Sequence, residues 1–169
     1  YTTLFRSMYA KHYKTGEIIP DALIKKLQDA ATFDQGFATL EYLAASYLDM
    51  AYHSLSSPLT QNVSVFEKEA MNRIGLINSI IPRYRSTYYN HIFNGGYSAG
   101  YYSYIWSGVL DTDAFEAFKS TSLFNPEIAR SFRSNVLERG GTAEPMDMYK
   151  RFRGAEPSIE PLLKKRGLN

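Results

Sequence analysis

Residues 37–55 constrain the fold more than any other stretch. Phe37, Leu40, Ala44, Leu48, Ala51 and Leu55 recur at three- and four-residue intervals over about five helical turns. A strand needs a period of two, so this pattern is read as one long amphipathic helix, ended by Ser56, Ser57 and Pro58. His53 falls opposite the stripe and is expected to be exposed. Similar signals recur along the chain. Pro20-Asp21 suits a helix start, with Leu23, Leu27, Ala30 and Ala31 as the buried side and Gly36 as the break. Ser64-Val-Phe-Glu67 reads as a capping box opening a short helix to about residue 73, which makes Glu67 a cap and Glu69 a surface charge.

Residues 75–82 read as a loop and residues 83–93 as a short aromatic, basic helix broken by Asn94-Gly95-Gly96. A long helix is expected over residues 97–119, its aliphatic side formed by Tyr102, Ile105, Trp106 and Val109. Asn125-Pro126 is a strong helix start, with Arg139-Gly140-Gly141 as the matching end. Two short helices follow near residues 144–152 and 159–166, the second closing on Lys164-Lys165-Arg166-Gly167. No alternating β pattern, repeat or low-complexity linker is found. Residues 1–169 read as a single all-α region, a multi-helix orthogonal bundle.

Composition narrows the chemistry. With no cysteine, disulfides, thiolate metal sites and a cysteine nucleophile are excluded. His12, His53 and His91 share no helical turn and H-E-x-x-H does not occur, so no metal site is expected from this chain alone. His12 is read as structural. No Walker loop, Rossmann fingerprint or G-x-S-x-G is present. No apolar run approaches the ~20 residues that span a bilayer, so no membrane association is expected. Residues 1–20 are charged throughout and do not resemble a secretory leader. The chain starts at Tyr1 rather than Met, and is expected to be part of a longer polypeptide. Residues 119–169 carry ten Lys/Arg against six Asp/Glu. Helix-end placement accounts for these cations, and nucleic-acid binding through them ranks low.

The run His91-Ile-Phe-Asn-Gly-Gly-Tyr-Ser-Ala-Gly-Tyr-Tyr-Ser-Tyr104 carries the candidate site. On a helix, Tyr97, Tyr101 and Tyr104 fall within about 60° of arc, beside His91 and the pair Gly95-Gly96. Spacing alone favours an ordinary aromatic core stripe. The two-faced pattern of the helix weakens that reading, and Gly108 would leave room beside the phenols. A phenol with pKa near 10 remains a hydrogen-bond donor at neutral pH. Fourteen tyrosines in all suit a wet groove for an extended ligand. Arg83 and Arg85 could hold a carboxylate, though ordinary surface contacts serve them equally well.

The same residues carry a family resemblance. Tyr9-Ala-Lys-His-Tyr13 with Thr15-Gly16, Leu48-Asp-Met50, Pro82-Arg-Tyr-Arg-Ser86, His91-Ile-Phe93, Gly95-Gly-Tyr97, Gly100-Tyr-Tyr102, Tyr104-Ile-Trp106 and the closing Arg166-Gly-Leu-Asn169 resemble the C-terminal part of the M3, thimet-oligopeptidase-like zinc metallopeptidases. The bacterial peptidyl-dipeptidase branch is the nearest likeness, and residues 91–106 are its specific part. The resemblance implies a substrate wall on which His91, Tyr97 and Tyr104 donate to the developing oxyanion. Tyr101, Gly95, Gly96, Arg83 and Arg85 would contact or shape the bound peptide. The Gly-Gly pair would let the loop close over it. It also implies zinc in the intact enzyme, polarising the scissile carbonyl, with a glutamate as general base.

The zinc-ligand helix, the third ligand and that glutamate would lie upstream of Tyr1. The chain alone is therefore expected to bind no zinc and to be inactive. Its implied partners are short peptides and the missing N-terminal part of the same polypeptide, and unpartnered apolar stripes favour self-association of the isolated piece. The expected compartment is the cytoplasm, with the periplasm as the alternative. A non-catalytic helical module that binds a peptide or protein through the same aromatic groove is the competing reading.

Overall fold

The structure, a computed structural model, describes residues 8–168. Residues 1–7 and the last residue of the Arg166-Gly-Leu-Asn169 motif lie outside the described residues. Residues 21–166 carry eight α-helices: α1 (Asp21–Ala30), α2 (Gln35–His53), α3 (Val63–Arg73), α4 (Asn90–Phe93), α5 (Ser103–Lys119), α6 (Pro126–Asn135), α7 (Pro145–Arg153) and α8 (Glu160–Arg166), with a 3-10 turn at Leu137–Arg139. Among the described residues the β-structure is one isolated antiparallel bridge, Lys11 to Ile18. The all-α class read from the sequence is correct. No helix is long and apolar enough to cross a membrane among the described residues.

The chain divides into two compact units: residues 34–107, and residues 1–33 with 108–169. In the 34–107 unit, α2 packs on α3 around Ala44, Ala45, Leu48, Phe66, Ala70, Met71, Tyr89, Ile92 and Tyr101. Ala44 and Ala45 bring the α2 backbone close to its neighbours, and burying such apolar surface is the main stabilising term. The expected stripe is rotated. Ala44 and Leu48 are buried as read, but Phe37, Leu40 and Leu55 are exposed and Ala45 and Asp49 take their place. Leu55 lies beyond the helix end at His53.

Two other local readings are corrected here. The cap of α3 is Asn62, whose Oδ1 accepts from the Ser64 amide at 2.9 Å. Asn is as good a cap as Ser. That starts the helix earlier and frees Glu67 to turn inward. Residues 83–89 form turns rather than helix, and only Asn90–Phe93 is helical.

In the second unit, α1 buries Ile24, whereas Leu23 and Leu27 are about half exposed. Asn125 caps α6 through Glu127 and Ile128, with Pro126 in the first turn as read. The helix ends at Asn135 and passes into the 3-10 turn before reaching Gly140. Helices α7 and α8 occupy nearly the expected residues, each stopped by a left-handed glycine, Gly154 and Gly167. The space expected beside Gly108 is taken by Leu162, whose Cδ1 would lie 3.8 Å from a Cβ added there. Phe118, Phe132 and Phe152 form a ring cluster with centroids 5.0–6.2 Å apart. Tail cations pair with acids: Arg133 with Glu138, Lys150 with Glu156, Arg153 with Asp113 and Lys165 with Asp111.

Candidate functional site

The candidate site lies within residues 34–107 and is built on a turn that only glycine permits. A Cβ on Gly95 would sit 2.8 Å from the His91 carbonyl oxygen and 2.9 Å from its Cα. Gly96 adopts φ +77°, which side-chain-bearing residues disfavour. The chain thereby doubles back, and the Tyr97 amide donates to the His91 carbonyl at 3.1 Å. In this structure the first task of the Gly-Gly pair is steric.

Long helix α5 begins at Ser103, not at residue 97. Ala99 has φ +54°, which no helix tolerates. Tyr97 and Tyr101 therefore sit on turns, and only Tyr104 is helical. The helical-spacing derivation fails, yet the three rings still meet. Tyr97 stacks on Tyr104 at 5.0 Å between centroids, and Tyr104 lies 5.4 Å from Tyr101. His91, on α4, packs 4.6 Å from Tyr84, 5.8 Å from Tyr101 and 6.0 Å from Tyr97. Its Nδ1 is buried without a hydrogen-bond partner.

Exposure is graded across the cluster. Tyr101 is 2% exposed and forms its floor, Tyr97 is half-buried, and Tyr104 is 42% exposed at its surface. The expected aliphatic side of α5 is correspondingly turned round: Tyr102 and Trp106 are exposed, and Val109 alone of those two rings and it is buried. Burial raises the Tyr101 and Tyr89 phenols above their ordinary value of 10.0, and that of Tyr42 as well. The Tyr104 hydroxyl, through its hydrogen bond with Tyr97 and then through desolvation, is pushed up to about 12. These phenols are neutral donors at pH 7.

The sequence reading missed several members. Tyr42 of α2 stacks on Tyr101 at 5.2 Å, and Tyr84 stacks on Tyr89 at 5.3 Å. Tyr89 donates to the Ala45 carbonyl at 3.1 Å. On α2, residues 42, 45, 49 and 52 repeat at helical intervals, and that rotated stripe was the available signal. The Arg83 guanidinium lies 6.0 Å from the Tyr42 ring centre and 5.9 Å from that of Tyr84, on the same cluster.

Arg85 has an internal partner. Its Nε donates to Glu67 Oε1 at 2.8 Å, and the Ser86 amide and hydroxyl donate to Glu67 Oε2 at 2.7 and 2.8 Å. Glu67 is thus the buried anchor of the 83–89 segment, not a helix cap. Burial would raise its pKa, but the Ser86 and Arg85 hydrogen bonds prevail and hold it below the ordinary 4.5. His53 lies beside the Asp49 carboxylate, with Nδ1 2.8 Å from Oδ1. His12 organises a turn with Thr15. Among the described residues no group of three or more His, Asp or Glu is placed together.

The chain belongs to peptidase family M3, a metallopeptidase family whose model, "Peptidase family M3", matches residues 2–168. It is 39% identical over 163 residues to "Dipeptidyl carboxypeptidase" of Escherichia coli K12, covering 95% of this chain and 24% of that protein. It is 38% identical over 162 residues to "Oligopeptidase A" of the same organism, covering 93% and 23%. "Probable cytosolic oligopeptidase A" of Arabidopsis thaliana is 39% identical over 168 residues, covering 94% and 23%. The chain spans about a quarter of the length of these curated relatives.

Proposed function

We propose that this chain is the substrate-side region of an M3 metallopeptidase that cleaves short peptides in the cytoplasm. Tyr104 and Tyr97 donate hydrogen bonds to the oxyanion that forms at the scissile carbonyl, with His91 behind them. Arg83 faces the substrate's carboxylate end. Gly95, Gly96 and Tyr101 shape the turn and its floor, and Arg85 acts through its fixed place on Glu67. The observation that carries this reading is the exposed Tyr104 phenol, stacked on Tyr97 beside His91, inside a chain matched throughout to the family. The zinc of such an enzyme is held by residues outside these 169, contributed by the N-terminal part of the same polypeptide, and no step through it follows from this chain. The names of the relatives support release of C-terminal dipeptides and internal cutting of oligopeptides alike.

The test uses the full-length enzyme that carries this chain. Tyr97→Phe and Tyr104→Phe each lower kcat by about 10²–10³, the usual loss for one oxyanion donor, while KM changes only a few fold. Wild-type turnover in both variants removes the catalytic role. Peptide binding by the isolated chain, together with that result, would favour a non-catalytic module. Comparing a free-acid peptide with its C-terminal amide separates dipeptide release, which needs the free carboxylate, from internal cutting, which does not.

A further inference from the structure

Asp49 is the least expected residue in the unit that holds the site. It lies in the body of α2, is 0% exposed, and its carboxylate belongs to a face otherwise made of Ala45, Leu48 and Tyr52. An unpartnered carboxylate there would be strongly destabilising. Its partners come from far along the chain. Oδ1 accepts from the Ala99 amide at 3.0 Å and Oδ2 from the Tyr101 amide at 2.9 Å. His53, one turn on, completes the shell.

Those two amides belong to a turn with unusual backbone, Ala99 and Asp34 being the two non-glycine residues with positive φ among the described residues. Ala99 is in the left-handed region without being glycine, a conformation that persists only where the surroundings hold it. Two nearby N–H groups converging on one anion form a nest, filled here by a side chain of the protein itself. The segment is tied at a further point, where Ser98 Oγ donates to the Ile92 carbonyl at 2.6 Å. The residues so clamped are those between Tyr97 and Tyr104, which carry the stacked phenols. A neutral Asn offers one acceptor where two are needed and turns an N–H towards an N–H.

Resting on the function proposed above, we propose that Asp49 is the positioning residue of the phenol wall. It touches no substrate and acts by holding the Ala99–Tyr101 backbone so that Tyr97 and Tyr104 meet the reacting carbonyl.

In the full-length enzyme, Asp49→Asn lowers kcat about tenfold and leaves KM within about twofold, because a small displacement of a donor costs turnover before it costs binding. The loss is smaller when Asp49→Asn is added to Tyr104→Phe, since both act on one donor set. Lys68→Gln, on the exposed side of α3, keeps turnover within about twofold of wild type. Hydrogen exchange by mass spectrometry shows faster uptake over residues 97–104 in Asp49→Asn. Wild-type kcat in a folded Asp49→Asn enzyme, or losses additive with Tyr104→Phe, overturns the proposal. If the phenylalanine variants keep full turnover, the function proposal fails first. Exchange then judges Asp49 alone, and unchanged uptake over 97–104 overturns its hold on the loop. If Asp49→Asn does not fold, Asp49→Glu gives the same kcat–KM split, and in the wild type the amides of Ala99 and Tyr101 exchange slowly. Fast exchange there overturns the proposal without any variant.

Discussion

Each compact unit of this chain contains buried carboxylates, but the two units use them differently. In the 34–107 unit, Asp49 and Glu67 accept hydrogen bonds from backbone amides 50 and 52 residues away, and 19 residues away, respectively. In the other unit, Asp113 of α5 is held chiefly by side chains of α7, the Tyr149 hydroxyl and the Arg153 guanidinium, the latter at 2.9 and 3.2 Å, with the Ser158 backbone contributing least. A side-chain partner joins two helices whose own backbones are already satisfied. A backbone partner fixes the path of a loop at amides that no helix pairs. The first arrangement builds scaffold, and the second places aromatic side chains with precision.

The contrast is broken most severely at Arg153. Arg153→Ala leaves Asp113 buried without its counter-charge and is expected to destabilise the protein by about 3 kcal/mol, read from chemical denaturation. In the folded fraction, peptide turnover of the full-length enzyme stays near wild type, because no site loop depends on Asp113. A large fall in kcat there would erase the distinction.

Gly95→Ala is the next largest. The new methyl would press on the His91 backbone, and relief of that overlap costs about 1–3 kcal/mol. Unlike Arg153→Ala, it lowers kcat as well, since it shifts Tyr97 relative to His91. Unchanged turnover would show that the turn tolerates displacement.

Acid pH sharpens the comparison with the smallest effect. Glu67 lies below its ordinary 4.5 and Asp113 below its ordinary 3.8, in each case because hydrogen bonds outweigh the upward push of burial. A carboxylate with a depressed folded-state pKa contributes stability that is fully present above the unfolded value and is lost as pH falls through the folded one. Melting temperature should therefore fall as pH drops below about 4.5. Glu67→Gln should lower stability at pH 7 by roughly 1–3 kcal/mol and flatten the acid limb that begins near 4.5. A melting profile unchanged between pH 5 and pH 3 would contradict both depressed values.

The readings that held are those governed by residues close in sequence. Asn125-Pro126 starts a helix because its own side chain and ring satisfy the first turn. Gly167 stops a helix because glycine enters the left-handed region cheaply. Some local readings shifted too, as the cap at Asn62 and the helix end at Asn135 show, but the larger shifts concern neighbours distant along the chain. The buried face of α2 was placed one step round because apolar residues were counted and Asp49 was not. Residues 97–102 read as helix in the sequence because nothing local shows that Ala99 is held at positive φ.

The sequence by itself determined the helical class, the helix start at Asn125-Pro126, the stop at Gly167, the break at Gly95-Gly96 and the gathering of Tyr97 and Tyr101 near His91. These follow from backbone freedom and periodicity, which act over a few residues. Only the tertiary structure decided that Tyr101 forms the floor while Tyr104 faces out, and that Asp49 and Glu67 anchor the loops. A buried carboxylate must find donors wherever the fold brings amides to it, and that address is not written in the residues beside it.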